Sequence, residues 1–191
     1  MKEQNPQAKE LPITYDAIAE AHKTYCDGRL KEQRLLFEIA YTIISKLKTI
    51  GKIPRNHLAC CPPRMREFDP VKRYSWVDAM FWDNEARRYE ASFVLTVVHQ
   101  GQTIPREFLA VILTLQPSQE QVQIGLLNTD LQCNINRLGS KADELKIEEF
   151  ANLILADIKT FYLNCLDEVT GKHNKRQIGF RAIPGEISAN K

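Results

Sequence analysis

Residues 57 to 70 read HLACCPPRMREFDP, and an imidazole beside two thiols is the residue chemistry of zinc binding and of thiol redox exchange. A structural zinc ion takes about four nitrogen or sulfur ligands in a tetrahedral array, and His57, Cys60 and Cys61 come without a second paired group nearby. His99 or Cys133 would complete such a set only through the fold. Adjacent cysteines make poor joint ligands for one tetrahedral ion, and they lack the two-residue gap of thioredoxin-like redox pairs. Pro62 and Pro63 fix the backbone and hold Cys61 extended. The stretch therefore reads as a stiff crossing from helix to sheet, with no metal assigned.

The crossing also carries charge. Arg55, Arg64, Arg66, Lys72 and Arg73 outnumber Glu67 and Asp69, with Phe68, Tyr74 and Trp76 interleaved. Arginine forks suit phosphates and aromatic faces stack on bases, so the set is a candidate single-stranded nucleic-acid surface. Lys172, Lys175, Arg176 and Arg181 near the C-terminus extend it if the two segments share a face.

Signs of catalysis are sparse. The chain has no phosphate-cradling glycine loop, no His-Glu-x-x-His pair and no Gly-x-Ser-x-Gly elbow. His22, His57, His99 and His173 lie far apart along it. A Cys133 nucleophile with His99 as base is the one pairing that a fold could assemble. The acidic pairs Asp143/Glu144, Glu148/Glu149 and Asp167/Glu168 read as solvated helix faces. No catalytic residue and no cofactor is assigned.

The elements that must position these groups follow from hydrophobic spacing. Tyr15 to Cys26 suits a helix, and CDG at 26–28 offers a break because glycine leaves a helix easily. Leu36, Ala40, Ile43, Leu47 and Ile50 then alternate spacings of four and three, which predicts a second helix over about 29–50, stopped by Gly51 and Pro54. Four extended runs follow: RYSWVDAMFW, SFVLTVV, EFLAVILTL and QVQIGLL. The short polar links DNEA, HQGQ and QPSQE suit antiparallel neighbours, so a four-stranded meander is expected. Its strand at 107–115 is apolar on both faces and belongs at the centre, while the QVQIGLL strand is placed at the edge, where a partner's chain could pair with it. Residues 128–145 read as irregular, with Ser140 and Asp143 as candidate caps. Ile147, Phe150, Ile154, Ile158, Phe161 and Cys165 mark a closing helix over about 146–169.

A chain of 191 residues supports one substantial core. Its 43% hydrophobic and 26% charged content is that of a globular protein. FLAVILTL is too short to span a membrane, and the polar start lacks the apolar segment of a secretory signal. The irregularly spaced cysteines suit a reducing compartment, and a net charge of +2 leaves electrostatic recognition to local patches. The expected architecture is an α+β domain over 13–170: a four-stranded antiparallel meander with N-terminal helices and a long C-terminal helix on the sheet. Residues 1–12 are read as a flexible lead and 171–191 as a flexible basic tail. The function expected by subtraction is that of a non-enzymatic cytosolic binding or adaptor protein acting through a protein partner. The alternative is a nucleic-acid-binding accessory protein, and a third reading places a small apolar ligand between the closing helix and the sheet.

Overall fold

The computed structural model describes residues 13–63, 68–98, 107–137, 139–169 and 182–183. Contacts divide the chain into two compact units whose boundary, between Arg34 and Leu35, falls inside the first helix. That helix, α1, runs from Tyr15 to Ile50. Thr14 starts it, its Oγ1 accepting the Ala17 N–H at 3.3 Å. The break expected at residues 26–28 is not there: Gly28 is helical, since one glycine costs a helix only about 1 kcal/mol against alanine and the surrounding turns absorb it. Within the first unit, residues 13–31 are exposed throughout.

In the second unit α1 ends where the sequence says, though by a different residue. Lys52, not Gly51, takes the left-handed conformation, with φ 50°. The Ile53 N–H reaches back to Lys48 O at 2.9 Å and the Lys52 N–H to Thr49 O at 3.3 Å, the paired bonds of a Schellman cap. Gly51 is needed for space instead, because a Cβ there would lie 3.0 Å from Leu47 O and 3.1 Å from Leu155 Cδ2.

After this cap come β1 (Leu58–Cys60), the short α2 (Trp76–Ala79), β2 (Met80–Asp83), β3 (Arg88–Val97), β4 (Glu107–Pro117), β5 (Gln121–Leu126), β6 (Gln132–Asn136), α3 (Lys141–Val169) and β7 (Ala182–Ile183). The class is α+β with an antiparallel sheet, but the sheet exceeds the four strands expected. The expected four are present as β2 to β5. β6 prolongs the meander, while β1 joins the edge of β3 and β7 the edge of β4. β3 and β4 form a long central ribbon, paired from Tyr89↔Leu115 to Val97↔Glu107. The outer edge of β3 is shared, with β2 on Arg88–Ala91 and β1 on Phe93–Leu95. β4 is shared in the same way between β5, on Leu113–Pro117, and β7, on Phe108–Leu109.

The helix order also departs from expectation. One continuous α1 replaces two N-terminal helices, and α2 sits inside the run read as the first strand. A capping box forms α2: the Asp78 N–H donates to Ser75 Oγ at 3.5 Å and the Ser75 N–H to Asp78 Oδ2 at 2.8 Å. The tract 128–145 is not irregular, since it holds β6 and the first turn of α3. Ser140 starts α3 as its type suggests, its Oγ accepting the Asp143 N–H at 3.2 Å and donating to Asp143 Oδ2 at 2.7 Å.

Alternation along the ribbon separates two faces. Tyr89, Ala91, Phe93 and Leu95 stand opposite Leu115, Leu113, Val111 and Leu109, all buried against Leu36, Ile43 and Leu47 of α1 and Phe150, Ile154 and Ile158 of α3. Full burial of such side chains stabilises by about 1.5–3 kcal/mol each, so this helical face holds the core. The second face carries Glu90, Ser92, Val94 and Thr96 opposite Thr114, Ile112, Ala110 and Phe108. It is only partly covered: Ala110 is buried, while Phe108, Ile112 and Thr114 are half-buried. β4 is central as expected, then, but its second face is not fully roofed.

Candidate functional site

The cysteine-proline crossing lies against this second face. Leu58 and Cys60 of β1 face the core opposite Leu95 and Phe93. One residue on, Cys61 turns to the other side, and its N–H donates to Ser92 O at 3.1 Å. Adjacent residues of an extended strand point to opposite faces, so the two thiols do not converge on one ion. Burial pushes the Cys61 thiol up to about 12, the neighbouring Cys60 adding to it. Burial also raises Cys60, although Lys48 pulls it partly back. Both shifts disfavour the thiolate form that attacks as a nucleophile. The backbone of His57 ties the crossing to the sheet, its N–H donating to Pro54 O at 2.9 Å and its carbonyl accepting the Thr96 N–H at 2.7 Å.

Cys133 lies on β6 and its thiol is pushed up to about 11 by burial, with Lys146 lowering and Asp143 raising it. Its sequence partner His99 lies outside the described residues. The acidic groups are split in role. Asp143 is buried, and hydrogen bonding from Ser140 holds its carboxyl below the usual range, with Asn136 Nδ2 donating at 3.1 Å. Glu148 is exposed and pairs with Lys46 at 3.5 Å. Among the described residues, no three His, Cys, Asp or Glu side chains gather closely enough to hold a metal ion.

Of the candidate nucleic-acid residues, Arg55, Lys72 and Arg73 are exposed, while Arg64, Arg66, Lys175 and Arg176 lie outside the described residues. The aromatics between them are already engaged. Tyr74 is half-buried, stacks on Phe68 with centroids 6.0 Å apart and lies under Lys72 Nζ at 5.2 Å. Its hydroxyl accepts the Asp69 N–H at 2.7 Å. Phe68 in turn meets Phe108 edge-on at 5.4 Å on the second face. Trp76 is on the helical side, 5.8 Å from Phe37, whose ring is 6.1 Å from Phe93. Tyr74 and Trp76 therefore do not form one stacking platform. The strand expected at the sheet edge, β5, is flanked by β4 and β6, so its backbone is not open to a partner chain.

Among the described residues, several exposed apolar side chains also lie along the first stretch of α1. Ile18 is 56% exposed, Tyr25 60% and Leu30 54%. Arg29 Nη1 donates to Tyr25 Oη at 3.4 Å. One turn apart on the same stretch, Cys26 Sγ lies 3.6 Å from His22 Nε2. The sequence predicts a helix over Tyr15 to Cys26 but, with a break expected at 26–28, no continuous surface across Gly28. The signal was the fourfold spacing of Ile18, His22, Cys26 and Leu30, which aligns them along one helix ridge once the break is removed. No helix among the described residues is long and apolar enough to cross a membrane. No family model, curated protein or solved structure matches the chain.

Proposed function

We propose that the chain is a non-enzymatic binding protein that works by engaging a protein partner along the first stretch of α1. The observation that carries this reading is the stretch of residues 13–31, exposed throughout and helical from Tyr15, which bears Ile13, Tyr15, Ile18, Tyr25 and Leu30. Most helical stability in proteins comes from packing an apolar face, and apolar side chains on an unburied face are how an amphipathic helix docks into a partner's groove. Tyrosines add large contact area at low cost in side-chain entropy. Burial raises the thiols of Cys60, Cys61 and Cys133, which disfavours these three as nucleophiles.

The test is affinity purification of the full chain from its native cell, with nuclease, alongside a variant carrying Ile18→Asp and Tyr25→Asp. A stoichiometric protein retained by the native chain and lost from the variant is the expected result. Retention that disappears with nuclease would move the function to Arg55, Lys72 and Arg73 as phosphate contacts, and binding would then weaken steeply with salt.

A further inference from the structure

We infer that Ser75 is a phosphorylation site, taken by a serine kinase that reads Lys72 and Arg73 ahead of it, and that the phosphate breaks the capping box of α2. The inference is independent of the docking surface on α1. Its first support is the way the hydroxyl is presented. Lys72, Arg73 and Ser75 are exposed, and residues 73–75 belong to neither helix nor strand. Ser75 has φ −83° and ψ 173°, the extended backbone that lets a segment lie along a partner's groove. Cations three and two positions before the hydroxyl suit a groove lined by carboxylates, since kinases select substrates by such charge patterns. Ser140 shares part of the pattern, with Arg137 three residues before it. There, however, the residue two before is Leu138, Arg137 Nη1 is held by Ser118 O at 2.7 Å, and the Asp143 that binds Ser140 Oγ is buried. Thr49 follows Lys46 and Lys48 but lies inside α1, its Oγ1 bonded to Ser45 O at 3.0 Å.

The second support is what Ser75 holds before modification. Its Oγ and its N–H both donate to Asp78 Oδ2 at 2.8 Å, and the Asp78 N–H reaches back to Oγ at 3.5 Å. These bonds, the backbone one foremost, keep the Asp78 carboxyl below the usual carboxylate range, and Lys72 nearby lowers it further. The box is exposed, and a cap of this kind is open in on the order of one molecule in ten, which frees the hydroxyl to react. In the transfer, Ser75 Oγ bonds to the γ-phosphorus of ATP as the bond from that phosphorus to the bridging oxygen breaks. ADP leaves, and the hydroxyl proton passes to the kinase's catalytic carboxylate.

The modified residue carries a charge of about −1.5 to −2 beside the Asp78 carboxylate and has no hydroxyl proton left to donate. Repulsion thus replaces a 2.8 Å hydrogen bond, while Lys72 and Arg73 offer the phosphate cationic partners on the other side. The effect reaches the core because α2 is four residues long and begins at Trp76. That ring packs partly buried against the core, 5.8 Å from Phe37 of α1. Opening the box loosens Trp76 from Phe37.

The experiment uses the full folded chain with magnesium ATP and a purified serine kinase selective for basic residues two and three positions before the serine. Fragment mass spectrometry should place one phosphoryl group on Ser75. The chain isolated from its native cell under phosphatase inhibitors should carry the same mark, and phosphatase should remove it. Arg73→Ala should slow incorporation about tenfold or more, through loss of one charge-assisted contact, whereas Arg137→Ala should leave the rate unchanged. As Arg73 is exposed, circular dichroism should show its variant folded. Phosphorylation should quicken amide exchange over Trp76–Ala79. In a Trp82→Phe background, where Trp76 is the sole tryptophan, it should also move the emission to longer wavelength. Ser75→Ala loses the hydroxyl without adding charge and should move it less. Incorporation on Ser140 in place of Ser75, a rate indifferent to Arg73, or a native chain without the mark would each overturn the site. A phosphorylated Ser75 with exchange and emission unchanged would overturn its effect on α2.

Discussion

The two ends of α1 belong to one helix and meet opposite surroundings. From Tyr15 to Lys31 every side chain is exposed, whereas Leu36, Ala40, Ile43 and Leu47 are fully buried. Backbone hydrogen bonding is the same at both ends, so the difference lies in what the side chains touch. Helix propensity and capping settle that a helix forms, but packing settles what each stretch is for: the later one is scaffold and the earlier one is surface.

The largest test of that contrast is truncation of a matched isoleucine in each stretch. Ile43→Ala should cost about 2–5 kcal/mol in chemical denaturation, because it removes a buried side chain and leaves a cavity. Ile18→Ala should stay within about 0.5 kcal/mol at concentrations where the chain is monomeric. Equal costs would mean that Ile18 is packed and would remove the docking surface.

The two glycines sharpen the contrast further. Gly51→Ala should destabilise by about 1–3 kcal/mol, since the new Cβ crowds Leu47 O and Leu155. Gly28→Ala should stabilise the helix by up to about 1 kcal/mol, since nothing lies within 4 Å of a Cβ there. Slower amide exchange around residue 28 would report the gain.

The cysteines give the smallest and most local readouts. At pH 8, peptide mapping after brief alkylation should find Cys26 modified and Cys61 protected until the chain unfolds, as Cys26 is exposed and Cys61 buried. Cys61 also makes stability depend on pH. Its folded pKa is raised to about 12 from an ordinary 9.0, so its contribution is complete below pH 9 and is lost as pH climbs from there toward 12. The denaturation midpoint should therefore fall between pH 8.5 and about pH 10.5, and Cys61→Ala should flatten that fall.

Much of the scaffold was legible in the sequence. The stripe from Leu36 to Leu47 marked the buried part of α1, and three branched or alternating runs marked β3 to β5. Only the end of the run at 73–82 proved to be β2, and α3 begins at Lys141, just after the candidate cap Ser140 and ahead of the expected 146. What escaped has physical causes. β1 is three residues long, and β6, Gln-Cys-Asn-Ile-Asn, carries polar amides on its outward side, so neither has the composition of a strand. Each is specified by its neighbour's open edge instead. The candidate surface escaped because a glycine outweighed the helical pattern on both sides of it. The arginine-aromatic crossing drew notice because composition cannot tell a ring waiting for a base from one already stacked on Phe108 or Phe37.

The shared edges of the β3–β4 ribbon also impose an order in time. β2 meets β3, β4 meets β5 and β5 meets β6 across short turns, and such hairpins close quickly. β1 reaches Phe93–Leu95 only once the chain from Cys61 onward is in place, and β7 reaches Phe108–Leu109 only after α3 has been made. During synthesis, then, the apolar end of the ribbon is the last part to gain its flanking strands. Until then its unpaired backbone along Phe93–Val97 and Phe108–Leu109 is an open apolar edge, the kind of segment that pairs with another chain.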